Sequence, residues 1–249
     1  MAEFAGPGDF RIDGSLIRDI TFTGSCDLVL LGGACRIDNI AAQAIVTSTD
    51  ALELTMRDTE CGVTTLSVLC PGYMFIDIAD SQLGECEITS GDTPTVGKID
   101  NTTVNRLVVD NATEMDLDVF VPFPTLMENA ITLDTVSNTN LDAQIGMAHD
   151  HGVYLNACTD VIVSGSIIDA SLAGSNTYDC YHIVGGSRVE IANARVRTDL
   201  GFARYGINVV SGTQHIRKGN TYDPTADFGT ASTADTGTGT VDANNVQLT

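Results

Sequence analysis

The chain has 249 residues, 43% of them hydrophobic, with eight Phe, six Tyr and no Trp, a composition that excludes a disordered protein. Its 33 acidic residues against 12 basic ones give a formal net charge of −21. That balance argues against a nucleic-acid partner, because a phosphate backbone requires a basic footprint. No apolar run approaches the roughly 18 residues needed to span a bilayer, so membrane insertion is not expected.

The opening "MAEFAGPGDFRIDG" has no basic stretch followed by an apolar one, and so does not read as a signal peptide. Residues 1–13 are expected to form an N-terminal arm that anchors the protein or contacts another subunit. Short apolar or alternating runs follow at Leu28–Leu31, Ala44–Val46, Leu52–Met56, Thr65–Leu69, Met74–Ile78, Leu107–Val109 and Met115–Val121. Gly, Asp, Asn, Thr and Ser separate them, which predicts strands joined by turns. No window keeps apolar positions at helical spacing for three turns. Pro122–Asn129, "PFPTLMEN", is the best candidate for a single helical turn. The seven cysteines include no CxxC and no zinc-like Cys/His spacing, so they are expected to be small buried hydrophobes.

From residue 151 a longer pattern recurs. "HGVYLNACTDVIVSGSIID" (His151–Asp169), "YHIVGGSRVEIANARV" (Tyr181–Val196) and "YGINVVSGTQHIRKGNTY" (Tyr205–Tyr222) each carry a strand, a Gly-containing corner and another strand. Aligning them sets Val161 and Val163 opposite Val189 and Ile191, with Ile167 opposite Val196. The third copy follows about 25 residues later. A fixed interval of this kind is what stacked coils require, whereas a sandwich does not need it. Val161, Val163, Ile167, Val189, Ile191, Val196 and Ile207 are expected to point inward. After Tyr222 the chain turns poor in bulky apolar residues, and 223–249 reads as an extended C-terminal tail.

"GVYLNACTDVIVSGSIID" and "YGINVVSGTQHIRKGNTYDPTADFGT" resemble the coils of right-handed parallel β-helices of the pectate-lyase-like and phage tailspike type. The likeness covers Gly152 to about Gly229, and is looser upstream. It implies an all-β solenoid over 14–222, clearest over 152–222, flanked by the arm and the tail.

The functional signal is weaker. Asp is so abundant, at 25 residues, that no pair of carboxylates stands out for glycoside cleavage. "AHDHG" (Ala148–Gly152) is the most site-like cluster: on a strand His149 and His151 share one face and Asp150 takes the other. These three are the candidate surface-binding residues, against the simpler reading of a solvated turn. No catalytic, cofactor or metal-ligating residue is assigned. Only two Lys accompany the 25 Asp, which points to adaptation to high salt. With the tailspike resemblance, this leads us to expect a virion surface protein of a salt-loving host, as a capsid decoration, turret or tail fibre. Its expected partners are copies of itself in a homotrimer, other virion proteins, and a host surface glycan or surface-layer protein. A tailspike-like polysaccharide-degrading enzyme is the alternative.

Overall fold

In the computed structural model the chain is all-β, its parallel strands stacked as a β-solenoid of about eight turns. The structure describes every residue except 1, 6–9, 13, 15, 24–26, 43, 49–50, 62–65, 71, 123–127, 171, 173–176, 198–202, 223–230 and 248–249. Most of the expected helical turn at Pro122–Asn129 therefore lies outside the described residues. Among those described, no helix is long and apolar enough to cross a membrane. The chain divides into two compact units, Met1–Val119 and Phe120–Thr249.

In the first unit one ladder runs through Ile17, Ile37, Met56, Ile78 and Ile99, and a second through Phe10, Leu28, Ile45, Leu66, Cys86 and Leu107. Successive partners are 17 to 22 residues apart. The N-terminal strands join these ladders: Ala2–Ala5 pairs with Leu16–Thr23, and Phe10–Ile12 with Asp27–Leu30.

One corner of this unit is built from residues in the left-handed region. Asp19, Asn39, Asp58, Asp80 and Asn101 all have φ between 43° and 57°, and neighbouring register pairs place them one above another. Asn and Asp tolerate that conformation better than other residues with a Cβ. Their side chains also bond between coils, Asn39 donating to Asp19 and Asn101 to Asp80, each at 2.7 Å.

The second unit contains the repeat. Val161 pairs with Val189, Val163 with Ile191, Ile167 with Val196, and Tyr181 with Ile207. All seven residues expected to point inward have no exposed surface. Burying each contributes roughly 1.5–3 kcal/mol, so these columns dominate the stability of the unit. At one corner Gly186 has φ +67°, and a Cβ there would stand 1.9 Å from the Cys158 carbonyl oxygen. Only glycine permits that approach.

Residues 231–247, read from composition as part of an extended tail, instead continue the solenoid. Strands Ala231–Asp235, Val241–Ala243 and Val246–Gln247 pair in parallel with Tyr205–Val209, Ile216–Lys218 and Thr221–Tyr222. The inward column Leu141, Val163, Ile191 proceeds to Arg217 and then Asp242. Arg217 is buried and bonds Asp242 through Nε and Nη2, both at 2.6 Å, with Asp235 at 3.5 Å and the Ala234 carbonyl at 3.1 Å. Polar pairing thus replaces apolar packing in the last coil. Of the cysteines, Cys35, Cys86, Cys158 and Cys180 are buried. The side chains of Cys26, Cys61 and Cys70 lie outside the description.

Candidate functional site

The most developed polar cluster of the second unit lies beside strands Val153–Asn156, Tyr181–Val184 and Tyr205–Val209. Inward residues of these strands are apolar, so the alternate positions face out and stack in register. Tyr154 pairs with His182, and His182 with Asn208. Just before the strands a second set lines up. His151 stands two residues before Val153 and Asp179 two residues before Tyr181, which are partners. One coil therefore sets Asp179 over His151.

Asp179 is the centre. Its side chain has no exposed surface, and its carboxylate accepts from four donors. Arg204 donates through Nε at 3.0 Å and Nη2 at 2.8 Å, His182 through Nδ1 at 2.6 Å, and Asn208 through Nδ2 at 2.9 Å. Burial raises the pKa of a carboxyl, but the bonds from His182, Arg204 and Asn208 favour the charged form. The donors prevail and hold Asp179 down at about 2.

His151 is also buried. Its Nδ1 accepts the backbone N–H of Asp179 at 2.9 Å, while the backbone N–H of His151 donates to Asn129 Oδ1 at 3.1 Å. Desolvation, aided by the neighbouring His182, lowers its pKa to about 4, so the ring is neutral at pH 7. The rings pack closely. His151 and His182 have centroids 4.2 Å apart, Tyr154 lies parallel to His182 at 5.5 Å, and Tyr178 meets His151 edge-on at 5.1 Å.

Of the residues singled out from sequence, His151 enters this network. His149 instead lies 3.0 Å from Asp150, its Nδ1 against Oδ1. Asp179, Arg204 and Asn208 escaped that reading because they are distant in sequence from "AHDHG". The coil interval was the available signal: 28 residues beyond His151 is Asp179, and 26 beyond His182 is Asn208. His215, by contrast, is a core residue, fully buried, with Nδ1 accepting the Val189 N–H at 3.3 Å.

The cluster invites comparison with a metal centre, since ligand atoms of His151, Asp179 and His182 lie within 4.8 Å of one another. The donor set does not fit one. His151 Nδ1 is engaged by a backbone N–H, and both Asp179 oxygens are engaged by a guanidinium. Arg204 supplies the cation that a metal would otherwise supply, in the two-pronged geometry suited to a carboxylate. What remains is a cluster of four aromatic rings facing away from the apolar core, in which the side chains of His151 and His182 are 11% and 12% exposed. Comparison with family models, curated proteins and solved structures finds no match to this chain.

Proposed function

We propose that the chain is an adhesive structural protein of a virion surface, acting in a salt-rich environment and binding a host-surface glycan through the patch around His151, Tyr154, Tyr178 and His182. The observation that carries this reading is the patch itself, with aromatic rings beside fixed hydrogen-bonding groups on an outward ladder. Aromatic faces pack against the C–H surfaces of sugars, while a few placed polar groups set orientation and specificity. The pair of buried Asp179 with half-buried Arg204 supports it by holding the groups before any ligand arrives, which lowers the ordering cost of binding. The acidic composition supports the salt-rich setting. A homotrimer attached to other virion proteins is the assembly we propose.

Two measurements test the reading. A glycan array probed with the folded protein in high salt should give hits that Tyr154→Ala weakens. The protein should also co-purify with virus particles through a density gradient. An array without hits and a chain absent from particles would overturn the proposal.

One observation favours a second reading, as a polysaccharide-degrading enzyme. His182 donates Nδ1–H to Asp179, the arrangement that directs Nε2 outward as a general base. Glycoside cleavage ordinarily needs two carboxyl groups, however, and Asp179 is committed to its four donors. Release of new reducing ends from a bound polysaccharide, lost in His182→Gln, would favour the enzyme.

A further inference from the structure

The protein partners of the two histidines fix which ring nitrogen carries a proton. Nδ1 of His151 accepts from the Asp179 backbone N–H, so in the neutral ring the hydrogen sits on Nε2. Nδ1 of His182 faces the Asp179 carboxylate at 2.6 Å, and an ionised carboxylate only accepts, so that nitrogen bears the hydrogen. With Nδ1–H committed to Asp179, the open nitrogen of His182 is Nε2. Among the described residues neither Nε2 is a buried atom left without a partner. The two ring centroids are 4.2 Å apart and the planes inclined by 30°.

We infer that His151 and His182 form a matched donor–acceptor pair that reads two adjacent hydroxyls of an uncharged sugar ring, with Tyr154 and Tyr178 beside it. One hydroxyl donates to His182 Nε2 while its neighbour accepts from His151 Nε2–H. Because each hydroxyl can both donate and accept, a vicinal diol satisfies the pair without leaving a buried group unmet. The sugar is uncharged because Arg204, the cation at this site, is already bound to Asp179 in bidentate fashion, so a ligand carboxylate would lose water there without gaining a partner. The local charges of Asp179 and Arg204 cancel, so neither sign of ligand is favoured there.

This inference rests on the glycan-binding reading, and the test separates the two. The intact chain in high salt at pH 7 is titrated, with ligand-observed NMR, against methyl mannoside, methyl galactoside and methyl glucoside. The best of these is compared with its deoxy analogues, each lacking one ring hydroxyl, and with the matching uronate. Removing either hydroxyl of the recognised pair should weaken binding about tenfold, and the uronate should bind less well than the neutral sugar. His182→Gln, which keeps an acceptor near the Nε2 position, should retain more affinity than His182→Phe. Binding by none of the sugars overturns both readings. Binding that is indifferent to every deoxy substitution, or that prefers the uronate, overturns the diol inference while the glycan reading stands. The deoxy series uses the unaltered protein, so it decides even if a histidine variant fails to fold.

Discussion

At the scale of single residues, Asp179 and His151 make the fold sensitive to acid in two stages. His151 has its pKa lowered from 6.5 to about 4 by burial. The unfolded chain therefore takes up a proton there first as pH falls, and stability declines from about pH 6.5 to pH 4. The full loss is of order 3 kcal/mol. Asp179, held at about 2, adds stability that is complete above the ordinary carboxyl range and disappears between about pH 4 and pH 2. Melting temperature followed against pH should fall across both windows. In His151→Asn the first decline should flatten. An amide oxygen can take the next coil's N–H, as Asn129 already does for His151, but it does not titrate. An unchanged slope between pH 6.5 and 4 would rule out His151 as the source. His151 could be singled out from sequence because two histidines and an aspartate lie together there. Asp179 could not, since an isolated Asp among 25 carries no mark until the coil register sets it over His151.

At the scale of elements, strand Ile216–Lys218 is where apolar alternation gives way to charge. Its inward Arg217 holds the final coil through Asp242 and Asp235. Removing one partner of a fully buried pair costs 3–5 kcal/mol, but the Asp242 side chain is 53% exposed, so solvent screens part of the loss. Arg217→Ala should cost about 2 kcal/mol in denaturant unfolding, with faster amide exchange concentrated over Val241–Gln247. Exchange unchanged in those strands would mean that the backbone ladder alone retains the coil. The same residues explain what the sequence reading saw and missed. The Val161/Val189 and Val163/Ile191 register was legible because both copies fill inward positions with aliphatic residues. In the last coil the Val163/Ile191 column ends at Asp242 and the Ile183/Val209 column at Asp235, so alternation vanishes and the segment resembles a tail. In the first unit the steps of 17 to 22 residues differ from the interval of the clear repeat, which hid its regularity.

For the whole molecule, the excess of aspartate is only partly a matter of backbone geometry. Among the described residues, Asp19, Asp58, Asp80 and Asp160 occupy corners with positive φ, four of 19 aspartates, so most of the described aspartates are not explained by backbone geometry. Raising salt from 0.1 M to 1 M shortens the screening length from about 10 Å to about 3 Å, which removes most self-repulsion among the −21 charges. Melting temperature should therefore climb steeply from 0.1 M to 2 M salt, and a flat profile would defeat the salt-rich setting proposed above. The parallel ladder also has a mechanical side. Among the described residues of the second unit, the strands of each coil pair with those of the next, by hydrogen bonds directed from coil to coil, so tension applied along that direction loads one ladder at a time. Coils should peel off in sequence. Successive steps of 22, 28, 26 and 26 residues then release roughly 75 to 95 Å of chain apiece. A particle held to a surface by such a unit would give way in stages, dissipating work at every coil before the attachment failed.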